Sequence, residues 1–242
     1  LVAPVAYGGV HIDSGRKVAW NWVLDDGAGY RWDITSYGTV NDGTLDAYDG
    51  AMQLTVNGQA FSYARPGVIS QDAREVETCP WRLGDLHVYR RIYVDDEVGY
   101  CRWIDIFENG SSAPVSARVL YECNLGGTVR TVRTSAGDDR LVPGDWAMVT
   151  TDVSPDRPAI VHVFASPGAR LRPDVRIAAG GRDIAYETQL EGPSQSSVAL
   201  CFFQAQRRPF AEAEGMLEGF SPGKELSKVP EDLRKLIVNM GA

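Results

Sequence analysis

Asn41-Asp-Gly-Thr-Leu-Asp-Ala-Tyr-Asp-Gly50 runs directly into Ala51-Met-Gln-Leu-Thr-Val-Asn-Gly58. The second half decides the fold. From Met52 to Asn57 apolar and polar residues alternate, the period of a strand with one buried face. Asn57-Gly58 is the preferred pair for a two-residue hairpin turn, so a partner strand is expected over 59–63. The first half crowds Asp42, Asp46 and Asp49 among glycines. Such carboxylates repel one another unless a metal, an arginine or water separates them. The spacings of four and three lack the alternate oxygen ligands and closing Glu of an EF-hand. Asp also caps turns through bonds to its own backbone, which is the favoured reading. Calcium bound by Asp42, Asp46 and Asp49 is the metal alternative.

Outward from this stretch, apolar runs at 18–24, 29–34, 74–78, 86–94, 100–107 and 115–124 are separated by turn residues. The same punctuation continues through 128–135, 147–151, 160–165, 175–179, 184–190 and 197–206. The 25 Gly and 13 Pro of the 242 residues fall between these runs. With no helical pattern among them, the spacing predicts an all-β fold, a large antiparallel β-sandwich of supersandwich-like type. The pattern changes only in the tail. Residues 209–220 and 230–240 are helical by spacing, and Leu233, Leu236, Ile237 and Met240 form one apolar stripe. A helix this short does not hold itself together in water. The organisation expected is a sandwich over 1–208, with an amphipathic segment over 209–242 packed on the same domain.

The net charge of -8 argues against nucleic acid, whose phosphates need clustered Lys and Arg. Anionic membrane surfaces are disfavoured by the same balance, and no apolar run approaches the length of a transmembrane helix. The chain begins at Leu1 without Met, so a processed or truncated N-terminus is expected. Cys79, Cys101, Cys123 and Cys201 form no CxxC pair, which disfavours a zinc ribbon or thioredoxin-type site. Pairing the runs 98–107 and 115–124 as a hairpin about Ser112 sets Cys101 opposite Cys123 and Trp103 opposite Tyr121. A Cys101–Cys123 disulfide and two buried thiols then stand as equal alternatives.

His11, His87 and His162 are dispersed, with no HxH or HExxH spacing. No nucleophile elbow is present. Glu75, Glu77, Asp105, Glu108 and Glu122 lie in or beside apolar strands, where a raised carboxyl pKa is plausible. Two such groups facing across a cleft would suit glycoside chemistry. Asp105 shares a strand face with Trp103 and Phe107, and its ordinary role is an ion pair with Arg90 or Arg91. Six tryptophans suit sugar stacking as well as a core. Trp81 and Trp146, placed in loops, and Trp103, beside Asp105, are the ligand-contact candidates.

Taken together, Trp32-Asp-Ile34, Asp42-Gly-Thr44, Asp46-Ala-Tyr-Asp-Gly50 and Leu54-Thr-Val-Asn-Gly58 resemble a β-sandwich module of large secreted bacterial proteins. Arg91-Ile-Tyr-Val94, Ile104-Asp-Ile-Phe-Glu-Asn109 and Ile237-Val-Asn239 extend the likeness along most of the chain. The resemblance implies an extracytoplasmic setting, periplasmic, cell-surface or secreted, and a structural or adhesive role. It brings no activity and no catalytic residue. The expectation is therefore a non-catalytic extracytoplasmic subunit that contacts a protein partner or assembles with itself. The alternative is a carbohydrate-binding or carbohydrate-active β-sandwich protein. No cofactor is expected beyond the calcium alternative.

Overall fold

A computed structural model describes residues 10–12, 15–62 and 65–241, with the side chain of Thr131 left out. Tyr63, the expected end of a hairpin strand, lies outside the described residues. In chain order the strands are β1 (Arg16–Lys17), β2 (Trp22–Asp25), β3 (Arg31–Ile34), β4 (Gln53–Val56), β5 (Gln59–Ala60) and β6 (Val68–Ile69). Then come β7 (Glu75–Glu77), β8 (Trp81–Leu83), β9 (Leu86–Val94), β10 (Cys101–Asn109), β11 (Val115–Asn124) and β12 (Val129–Thr134). The series closes with β13 (Ala147–Asp152), β14 (Ala159–Val163), β15 (Asp174–Ile177), β16 (Asp183–Gly192) and β17 (Ser196–Arg207). Helices α1 (Phe210–Gly219), α2 (Pro222–Leu226) and α3 (Glu231–Leu236) follow.

The named strand pairs are antiparallel. They form a ten-stranded sheet, β1-β6-β7-β9-β10-β17-β14-β13-β12 with β8 beside β9, a five-stranded sheet, β15-β16-β11-β4-β5, and a two-stranded ribbon, β2-β3. The Asn57-Gly58 turn joins β4 to β5 as its sequence requires, with Val56 paired to Gln59. Burial along the strands assigns the layers. β11 and β16 alternate buried with exposed or half-buried residues, so one face of the five-stranded sheet meets solvent. β10 is buried at every position and β17 at all but its first two. The ten-stranded sheet is therefore the middle layer.

Its inner face packs Trp103, Phe107, Leu200 and Phe202 against Val119, Tyr121, Ile184 and Tyr186 of the smaller sheet. Tyr121 and Phe202 meet with ring centroids 4.5 Å apart. On the outer face Ile104, Ile106, Cys201 and Phe203 lie under Ala213, Leu217, Phe220, Leu226 and Leu233 of the helical tail. Each fully buried Leu, Ile or Phe contributes roughly 1.5–3 kcal/mol. The fold is an all-β antiparallel sandwich with a short C-terminal helical segment.

Two elements depart from expectation. The runs around Ser112 form no hairpin: β10 pairs with β9 and β17, and β11 with β16 and β4. The turn carries the chain from one sheet to the other. Cys101 faces Val94 and Gln204, Cys123 faces Ile184, and all four cysteines are free. The expected Cys101–Cys123 bridge is absent because its supposed partner strands belong to opposite layers. The last helix also stops at Leu236, where Ile237 turns extended and bridges in parallel to Ala199 before the chain bends through Val238 and Asn239. Val238 N–H donates to the Ala199 carbonyl at 3.0 Å.

Candidate functional site

The acidic loop has an internal counter-charge. Asp33, at the end of β3, accepts from the backbone of Asp42 at 3.2 Å and of Gly43 at 2.8 Å. Gly43 has φ +67°, and a Cβ there would stand 2.7 Å from the Tyr48 ring, so the turn demands glycine. Asp46 accepts from Arg157 at 2.5 Å, and Arg157 also holds Asp152 at 3.0 Å. Asp42, Asp46 and Asp49 are all exposed. Among the described residues no group of three or more His, Cys, Asp or Glu is gathered to hold a metal.

The tryptophans separate. Trp103 is fully buried between the sheets, donates its ring N–H to the Gly38 carbonyl at 2.8 Å, and meets Trp32 edge-on. It is a core residue and presents no surface to a ligand, a correction to its candidacy. Trp81, expected in a loop, is instead half-buried on β8, where it pairs with Val88 of β9. Trp146, also half-buried, lines a shallow cavity of about 140 Å³ with Arg133, Glu214 and Glu218.

The strand carboxylates separate by parity. Asp105 points between the sheets and pairs with Arg90 at 2.8 Å, both side chains at 0% exposure. Glu122 lies on the solvent face of β11. Glu75, Glu77 and Glu108 come together on the outer face of the ten-stranded sheet, beyond the helical tail. There the register places Glu77 beside Arg91, Glu75 beside Tyr93, Tyr93 beside Arg102 and His87 beside Glu108. Alternation along each strand puts all of these on one face.

Glu75 accepts from Arg91 at 2.5 Å and from Arg102 at 2.9 Å, while the Arg102 guanidinium lies 4.8 Å from the Tyr93 ring. His11 closes the group from the N-terminal side. Its Nδ1 is 2.7 Å from Glu77 Oε1, and its ring lies 4.6 Å from that of Tyr89. The Glu77 hydrogen bond, with help from the Glu77 and Glu108 charges, holds the His11 pKa above its usual value. Burial is the main cause that raises the Glu108 carboxyl pKa, and Glu77 adds to it.

Four buried polar atoms of this cluster lack a hydrogen-bond partner among the described residues: Tyr89 Oη, Arg91 Nε, Arg102 Nε and Glu108 Oε1. The Tyr89 hydroxyl stands against both the Glu108 carboxyl and the Val10 backbone, close enough for each contact to lower a pKa but outside strict hydrogen-bond geometry. Buried polar groups are normally satisfied. Four orphans on one face therefore mark a place suited to a polar ligand or ordered water. Three carboxylates face two guanidiniums, so the cluster carries one net negative charge when His11 is neutral and none when it is protonated. The strand glutamates were visible in the sequence. His11 was not, because no spacing rule connects it to a residue 66 positions away.

No family model matches the sequence, and no curated protein matches it. Among solved structures the chain is similar to one described as a kojibiose phosphorylase from the human microbiome, with 8% identity and a TM-score of 0.50. That match covers 91% of this chain and 29% of the phosphorylase, so the chain spans under a third of its length. A polysaccharide lyase is similar over 79% of this chain and 31% of its own, with 15% identity and a TM-score of 0.44. A protein of Escherichia coli K12 described as an aldose 1-epimerase is similar over 77% of this chain and 98% of its own, with 7% identity and a TM-score of 0.47. At 8% identity the match to the phosphorylase is a likeness of fold alone.

Proposed function

We propose that this chain is a carbohydrate-binding β-sandwich module whose ligand docks on the outer face of β7, β9 and β10. The observation that carries this reading is the set of four orphaned polar atoms around Glu108 and Arg102. A pyranose offers neighbouring hydroxyls that both donate and accept, and an apolar ring face. The cluster offers carboxylate acceptors, guanidinium and phenol donors, and the rings of Tyr89 and Tyr93. Sugar sites combine convergent polar groups with aromatic surface in this way. The neighbour with a TM-score of 0.50, described as a kojibiose phosphorylase, is in keeping with it. An extracytoplasmic setting, implied by the sequence resemblance, would bring such a module to polysaccharide.

Titration calorimetry with neutral oligosaccharides tests the reading, using the wild-type chain, Glu108→Gln and Tyr89→Phe. Tyr89→Phe removes an unsatisfied hydroxyl and Glu108→Gln replaces a buried carboxylate by a neutral amide of the same shape, so neither should lower the melting temperature greatly. Each should weaken binding at least about tenfold, the loss of one buried charge-assisted or phenolic hydrogen bond. Undiminished binding in both variants would place the sugar elsewhere, with the Trp146 cavity the first alternative.

A further inference from the structure

The outer-face cluster is already occupied, by the segment Val10–Ile12. Arg91 Nη1 donates to the Val10 carbonyl at 3.1 Å, and Glu77 Oε2 accepts from the Ile12 N–H at 3.0 Å. Between them His11 binds Glu77 through Nδ1 and lies against Tyr89. Three residues thus present an acceptor, a donor and a flat ring to Arg91, Glu77 and Tyr89. That set matches what a sugar would offer the same groups. The segment is held without strand pairing: the His11 side chain keeps 41% of its surface exposed, while Val10 packs against the outer core. It also satisfies the cluster incompletely, because Glu108 Oε1 and both guanidinium Nε atoms stay unpartnered.

We infer that Val10–Ile12 is an intrasteric strap, a stand-in for ligand that must be released before a sugar can reach Glu77, Arg91 and Tyr89. This rests on the carbohydrate reading above and adds its regulation. The charges that face His11 set the direction of control. Glu77 and Glu108 hold it protonated, Arg91 opposes them, and Tyr89 lies against its ring. Protonated His11 grips the carboxylates. The grip loosens as pH rises through the elevated His11 pKa, and the site opens toward neutral and alkaline pH.

The test compares the full chain with its His11→Ala variant by oligosaccharide titration and by hydrogen exchange at the Ile12 amide. His11→Ala should bind sugar at least fivefold more tightly at pH 6 and should lose most of the wild-type pH dependence. Its Ile12 amide should exchange about tenfold faster. A variant lacking residues 1–12 should match His11→Ala in affinity. If it fails to fold, the full-chain pair still decides the question. Equal sugar affinity and equal pH dependence in wild type and His11→Ala would overturn the strap and leave the sugar site standing. Faster Ile12 exchange in His11→Ala with no sugar bound by either protein would uphold the strap and overturn the carbohydrate reading.

Discussion

Arg90 and Asp105 are the most demanding pair in the molecule, opposite charges removed from water inside the sandwich. Arg90 also donates to the carbonyls of Tyr37 at 2.9 Å and Met52 at 2.7 Å, so its guanidinium ties two loops to the sheet. Removing one partner of such a pair strands a buried charge. Arg90→Met should cost roughly 3–5 kcal/mol, read as a fall in the urea midpoint at constant slope. The double variant Arg90→Met/Asp105→Leu should recover much of that loss, since an apolar pair of similar volume is often neutral. Equal midpoints for wild type and the single variant would show that the pair is better solvated than its burial implies. A cation for Asp105 was legible in the sequence, because a carboxylate between Trp103 and Phe107 needs one. Its identity was not. Arg90 and Arg91 point to opposite faces, and only the register of β9 against β10 shows which one looks inward.

Element by element, the strand positions were far more legible than their partners. The bounds of β9 and β11 are those expected from alternation and turn residues alone. The misread junction is the one between β10 and β11. Facing aromatic residues and a polar turn describe a hairpin and an inter-sheet corner equally well, since side-chain parity is the same in both. Asn109 is what distinguishes them. Its side-chain amide donates to the carbonyls of Ala113, Gly192 and Pro193, fastening the corner to the end of β16. At the other end of the chain Asn239 does comparable work. Its Oδ1 accepts from Cys201 N at 2.8 Å, and its Nδ2 donates to the carbonyls of Cys201 at 2.6 Å and Phe164 at 3.0 Å. These bonds secure β17 beyond Val163, where β14 stops pairing with it. Asn239→Ala would orphan a buried N–H and the carbonyl of Phe164, a loss of about 3 kcal/mol. The melting temperature should fall by several degrees, and an unchanged value would mean that the tail docks through its apolar stripe alone.

At the scale of the whole molecule, a histidine absent from the outer site contributes to acid stability. His162, enclosed between the sheets, is hydrogen-bonded to Thr150 at 2.9 Å and Tyr186 at 2.7 Å, and burial depresses its pKa to about 3. The unfolded chain protonates this ring near the ordinary histidine value of 6.5 while the folded one does not. Stability should therefore climb as pH rises from about 3 to 6.5. His11 has the opposite sign: its contribution is complete below 6.5 and is lost as pH rises through its elevated folded value. Urea midpoints measured from pH 4 to 9 should pass through a maximum near neutrality. His162→Gln should flatten the acid limb, and an acid limb unchanged by that substitution would assign it to the carboxylates. The two sheets also end in a shared manner. The ten-stranded sheet begins with β1, two exposed basic residues, and finishes at β12, which is irregular between Val129 and Thr131. The five-stranded sheet is bounded by two-residue β5 and by β15, with Asp174 and Arg176 outward. Short, charged or bulged borders resist the addition of a further strand from a neighbouring molecule. Ribbon growth and fibril formation are thereby discouraged at these four margins, which leaves the faces and loops as the surfaces open to association in concentrated surroundings.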